Sequence, residues 1–255
     1  MSEFDLCRYA LEEAGSNPRV KARALHKQLT DLGFADGKVP IKTIAKSLDI
    51  HEIRFDANLA FEGAVVMTPN TSYGSILVKH APKPRMRFTI AHELFHFLSV
   101  QHQPVNGAFN CKASDMRVGA DFKPRTAEQK ARAKHYRQEA EANQFAAEIL
   151  MRYARVRKRV NAEPNLEHVL SISHEFGVSK EAAARHYVSR NGDPVAILFI
   201  EDGLLRYAEK SEEFPWVKIR SGQAVPYVPK ARPGSKLSDV DEDDILNWVD
   251  LPKRH

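Results

Sequence analysis

Cysteine is scarce in this chain: 255 residues hold only Cys7 and Cys111. Two thiols that far apart make no disulfide framework, and such sparse use fits a reducing cytoplasm. Apolar runs are short as well. No stretch approaches the roughly 18 residues that a membrane-spanning helix needs, so no passage through a bilayer is expected. The opening segment, MSEFDLCRYALEEAG, has acidic residues early and no apolar stretch of the kind a secretory signal carries. Internal repeats are also missing.

What remains is a chain that can fold. Hydrophobic residues make up 43% of it, enough for a real core, and its length allows one large domain or a domain with an appendage. The net charge of +5 is unevenly placed. Lys and Arg cluster in 123–137 (KPRTAEQKARAKHYR) and 152–159 (RYARVRKR), while 239–244 (DVDEDD) is acidic. Basic helices of this kind can make weak contact with nucleic acid, or can simply be solvated faces.

The chemistry sits in RFTIAHELFHFL, residues 87–98, where His92, Glu93 and His96 stand in the order H-E-x-x-H. With 11 His and 19 Glu in the chain, composition alone predicts about 0.04 such matches. On a helix, residues four apart project from one face about 6 Å apart, so both imidazoles can reach one ion. Glu93 can then lean toward a metal-bound water without ligating. The segment is apolar on nearly every side, which predicts a buried helix. Buried His and Glu need partners, and a metal ion partners two imidazoles at once.

A catalytic zinc has three protein ligands and one open position, so a third group must come from elsewhere. The later run EAEANQFAAE places Glu139, Ala142, Asn143 and Ala146 on one helical face. Glu139 is the preferred third ligand, with Asn143 one turn on to hydrogen-bond a ligand His. Glu141 competes, but it lies about 200° around the helix, so both cannot ligate. Small Ala residues at 140, 142, 146 and 147 permit close helix approach. Cys111 is either a latch on the open metal position or a small buried hydrophobe.

Around these motifs, the periodicity predicts helices over 2–14, 18–33 and 41–48. A β-hairpin follows, from GAVVMTP and YGSILVKH, and Pro82 and Pro84 break the chain before the His92 helix. Residues 101–125 read as a long loop, and one long helix is expected from Thr126 to about Met151. Two helices in 164–190 joined at Gly177 have the form of a helix-turn-helix. PVAILFI, LLRYAEK and WVKIR read as a small β segment, and 229–255 as a loose tail. The expected organisation is 1–152, 153–192 and 193–255: a helical-plus-hairpin core, the helix pair, and a β extension with its tail.

Taken together, the run SILVKH…RFTIAHELFHFL and the later EAEANQFAAEILM resemble the ImmA/IrrE family of metallo-endopeptidases. Members pair an HExxH helix with an E-x-x-A-(N/D)-x-F-A-A segment, and the resemblance covers about residues 40–190. It departs from the family pattern at Arg152, where Pro is common, and at Phe95, where a small residue is frequent. The resemblance implies an α+β, mostly helical zincin-like core holding Zn2+, or Mn2+ in some members. His92, His96 and Glu139 would be ligands and Glu93 the catalytic residue. It also implies a cytoplasmic enzyme with a protein substrate, a helix-turn-helix repressor or antitoxin-like regulator, in stress, phage or mobile-element circuits. Tyr73, Tyr136, Tyr153, His186 and Tyr187 are candidates to stabilise the oxyanion. The strand near 75–79 is a candidate to pair with an extended substrate. The competing expectation is a regulatory binding protein that grips a repressor or DNA, with a purely structural metal.

Overall fold

The computed structural model describes residues 4–67, 72–102, 108–115, 123–124, 126–225 and 249–250. It is α+β, and its described residues fall into two compact units. One comprises residues 1–153 with 175–178, the other residues 154–174 with 179–255. No helix among the described residues is long and apolar enough to cross a membrane.

In the first unit, α1 (Arg8–Glu13) and α2 (Pro18–Asp31) precede α3 (Ile41–Ser47). The start of α2 is set locally: Asn17 accepts hydrogen bonds from the Arg19 and Val20 backbone amides at 3.0 and 3.2 Å, and Pro18 opens the first turn. The first helix begins at Arg8, later than the expected residue 2, because Phe4 to Cys7 run outside it.

A four-stranded sheet follows: β1 (Ile50–Asp56), β2 (Gly63–Met67), β3 (Gly74–Lys79) and β4 (Ala108–Cys111), in the order β1-β3-β2-β4. The expected hairpin is β2–β3, paired antiparallel. Two strands were not expected. β1 joins β3 in parallel, although its exposed His51, Glu52 and Arg54 hide the alternation that marks a half-buried strand. β4 lies inside the segment read as loop, and its four residues are too few for a period to show. This order corrects the substrate-pairing expectation. β3 has a neighbour on both sides, so its backbone groups are already bonded, and the edges belong to β1 and β4.

Helix α4 (Lys83–Leu98) carries the H-E-x-x-H motif. Pro82 is its N-cap and Pro84 lies in its first turn, so these prolines start the helix instead of preceding it. Every residue from Thr89 to Leu98 is buried, as an all-round apolar helix requires. The expected long helix is two: α5 (Ala127–Ala131), with a capping box between Thr126 and Gln129, and α6 (Ala133–Leu150). Phe95 and Phe145 meet at 5.0 Å between ring centroids, and Ala142 and Ala146 on α6 are fully buried. Gly74 at the head of β3 leaves room for the Phe97 ring, which a Cβ there would meet at 2.7 Å.

The second unit holds α7 from Ala154 on (the helix runs Tyr153–Val160), the main part of α8 (Leu166–Phe176), α9 (Lys180–Val188) and a hairpin of β5 (Ala196–Glu201) and β6 (Leu204–Lys210). Asp202 and Gly203 both have positive φ, the two-residue turn whose twist suits a hairpin. Leu205 and Val225 centre a small core with Leu198, Ile200, Phe214 and Ile219. β7 (Trp216–Val217) pairs with β8 (Val249–Asp250), so the expected loose tail is tied at that point, while 229–248 and 251–255 lie outside the described residues.

Phe145 fills the α4–α6 interface with no exposed surface. Phe145→Ala is expected to cost about 3–5 kcal/mol of stability, seen as a lower midpoint in urea unfolding with an unchanged slope.

Candidate metal centre

Helices α4 and α6 bring His92, His96 and Glu139 together, with no side-chain exposure at any of the three. The Nε2 atoms of His92 and His96 are 3.1 Å apart. Glu139 Oε2 lies 3.1 Å from His92 Nε2, and Oε1 lies 3.5 Å from His96 Nε2. Cys111, at the end of β4, adds its Sγ 3.7 Å from both His96 Nε2 and Glu139 Oε1. All four donors lie within 4.8 Å of one another.

The hydrogen bonds around the two rings fix which nitrogen faces inward. His92 Nδ1 is 2.9 Å from Asn143 Oδ1, an oxygen that only accepts. A neutral His92 therefore carries its proton on Nδ1 and its lone pair on Nε2. The Asn143 amide in turn donates to the Asp115 carbonyl at 2.9 Å. His96 Nδ1 is 2.8 Å from His102 Nδ1, and His102 Nε2 is 3.0 Å from Glu141 Oε2. Read outward, His96 donates to His102, which donates to Glu141. Both Nε2 lone pairs then converge on one point beside a carboxylate. Such a donor set fits a cation: tetrahedral zinc with bonds of about 2.0–2.1 Å separates neighbouring N and O donors by about 3.3 Å.

Glu93 lies next to this cluster, fully buried, and neither of its carboxylate oxygens has a hydrogen-bond partner of ordinary geometry. Gly63 on β2 makes this placement possible. A Cβ at that position would come within 2.6 Å of Glu93 Oε1 and 2.4 Å of the Thr89 methyl. Burial, reinforced by the Glu139 charge, pushes the Glu93 carboxyl up to about 8 in the metal-free chain, with His92 pulling the other way. Burial also opposes charge on His92, but the Glu139 carboxylate outweighs it and His92 is raised. His96 is driven well below its usual value by burial and by His92. Burial pushes the Cys111 thiol well up, as do Glu93 and Glu139. A divalent cation at the convergence point reverses this pattern, favouring carboxylate, thiolate and neutral imidazole.

Three neighbours escaped the sequence reading. His135 stands one turn before Glu139, with Nδ1 3.7 Å from Glu139 Oε1 and Nε2 3.6 Å from Asp115 Oδ1, and its side chain is 29% exposed. The spacing that singles out Asn143 also points to His135, four residues before Glu139. His102 and Asp115 carry no periodic signal, since both sit in irregular chain. Glu141, the alternative ligand, holds His102 instead. Of the oxyanion candidates, Tyr73 is half exposed beside His51, Tyr136 lies against Arg132 and His135, and Tyr153 is exposed at the start of α7. His186 and Tyr187 belong to the second unit, where the Tyr187 hydroxyl bonds the Asn165 backbone.

Residues 68–187 match the peptidase family described as the IrrE N-terminal-like domain. The matched span includes α4, β4, α6 and the α8–α9 pair. No curated protein matches the chain.

Two outcomes follow from the buried hydrogen bonds and charge. Asn143→Ala leaves all proposed ligands in place but removes the group that fixes the His92 ring, and is expected to weaken zinc binding about 10–100-fold in a competition titration. Glu93 ionises near 8 when folded and near 4.5 when unfolded, so the folded state binds more protons between those values. The contribution of this residue to stability therefore falls as pH rises from about 4.5 to about 8. Glu93→Gln is expected to raise the melting temperature of the metal-free protein near the top of that window and to change it little at the bottom.

Proposed function

We propose that this chain, whose residues 68–187 match the IrrE N-terminal-like peptidase domain, is a cytoplasmic zinc endopeptidase. Its proposed substrate is a transcriptional regulator, a helix-turn-helix repressor or antitoxin-like protein, cut to control stress, phage or mobile-element genes. The observation that carries this reading is the arrangement of His92, His96 and Glu139 around one point with the unpartnered Glu93 carboxylate beside them. The repressor substrate rests on the resemblance of the paired motifs to that family.

In this reading His92, His96 and Glu139 hold the ion. Zinc held there would supply Lewis-acid chemistry, lowering the pKa of a water toward about 7 and polarising the scissile carbonyl. Glu93 takes the proton of the attacking water on a carboxylate oxygen and delivers it to the leaving amine. Its burial favours that exchange, since it raises the proton affinity of the carboxylate even against the pull of His92. His135 is placed to donate to the developing oxyanion, being next to Glu139 and partly exposed. Asp115, 3.6 Å from His135 Nε2, orients that ring. An extended substrate can pair with β4, the sheet edge that ends at Cys111, in place of the enclosed β3.

The purified chain is expected to hold about one zinc, lost in His92→Ala. Incubated with its helix-turn-helix repressor substrate, to be sought first among repressors encoded near it, the loaded protein is expected to make a single metal-dependent cut. Glu93→Gln should abolish that cut while keeping its zinc. A repressor left intact under these conditions defeats the substrate assignment, and cleavage by Glu93→Gln at the wild-type rate defeats the mechanism.

A further inference from the structure

A peptidase site with three protein ligands leaves the fourth corner of the metal for water. Here that corner has a protein group beside it. We propose that the Cys111 thiolate is a fourth ligand that closes the metal site in the resting protein, so that the enzyme is held latent. The inference rests on the zinc reading above and goes beyond it, from what binds the ion to what blocks it.

The distances to His96 and Glu139 fit a ligand, and all four donor atoms lie within 4.8 Å of one another. Zinc–sulfur bonds of about 2.3 Å and zinc–nitrogen or –oxygen bonds of about 2.0–2.1 Å at tetrahedral angles place sulfur about 3.6 Å from each other donor. Cys111 Sγ lies 3.7 Å from His96 Nε2 and 3.7 Å from Glu139 Oε1. The thiol is fully buried, and the four donors are the group of His, Cys and acidic atoms that converges among the described residues. Its backbone is anchored as well: Cys111 pairs with Gly63, and its carbonyl accepts from the Glu62 amide at 2.9 Å. Gly63 is the residue whose missing side chain admits Glu93. One strand pair thus positions both the general base and the group that stands where its water belongs. The fully buried carboxylate of Glu93, whose oxygens have no hydrogen-bond partner of ordinary geometry, is a second sign that this space is built for chemistry and not merely filled.

The donor set also separates metals. Thiolate and imidazole together favour zinc over manganese, which prefers oxygen ligands. Opening the site needs only a shift of β4, a four-residue strand with no partner on its outer edge among the described residues. A substrate strand adding along that edge would pull on the residue that must leave.

Cobalt(II) replaces zinc in such sites and reports its ligands by colour. Wild-type protein loaded with cobalt is expected to show the intense visible bands of a tetrahedral site together with a thiolate-to-cobalt charge-transfer band in the near ultraviolet. Cys111→Ser should lose the charge-transfer band, keep cobalt on the remaining ligands and bind it at least tenfold more weakly. Zinc absorption-edge spectroscopy of the wild type, which needs no variant, should find one sulfur in the first shell. Cobalt bound in a His92-dependent manner without a thiolate band, or zinc with no sulfur neighbour, overturns the latch and leaves the three-ligand peptidase standing. Failure to bind either metal overturns both.

Discussion

Two imidazole nitrogens lie 3.1 Å apart on the buried half of a helix, and neutral rings with both lone pairs turned inward repel one another unless something positive lies between them. The protein does not let either ring turn away. Asn143 holds one by its Nδ1 and His102 holds the other, and both holders are themselves held, by the Asp115 carbonyl and by Glu141. Four residues that touch no substrate therefore decide where two lone pairs point. Remove the cation from the argument, and the arrangement becomes a cluster of buried polar groups with an unexplained cost.

The same economy of position governs Glu93. A carboxylate with no partner in a closed interior is costly, and its raised affinity for a proton expresses that cost. Filling the space with a side chain at residue 63 would relieve it by expelling the acid, but the backbone of β2 runs past without one. The sheet thus does more than support α4. It supplies an empty Cβ position beside the Glu93 carboxylate, and its pairing on the other side brings in β4 and Cys111.

How much of this was legible in the residues depends on range. His92, Glu93 and His96 declare themselves because their geometry is contained in one helix, where spacing fixes which side chains share a face. Glu139 and Asn143 were legible for the same reason, one helix away, and the chain segment linking the two helices did not need to be understood. His135 obeys the same spacing and was passed over among the basic residues around it. β1 and β4 were not legible. Three exposed polar residues obscure the alternation of the first, and the second is four residues whose identity as a strand comes only from its pairing with β2. His102 and Asp115 reach the site through irregular chain, where position in sequence carries no angular information. The α5–α6 break at Arg132 was hidden because both pieces keep a helical period.

This division between helix-borne and strand-borne groups bears on what can move. His92, His96 and Glu139 project from α4 and α6, two helices locked by buried aromatic and alanine contacts, so displacing any one of them means disturbing a core. Cys111 sits instead at the end of a four-residue strand with no partner on its outer edge among the described residues. Free energy of local opening is lowest where few buried contacts and few ladder bonds resist it. On the proposal above, a metal held by three helix-borne donors and one strand-borne thiolate would release the fourth first, and the vacated corner would lie beside Glu93. That corner is where the proposed hydrolysis would need its water.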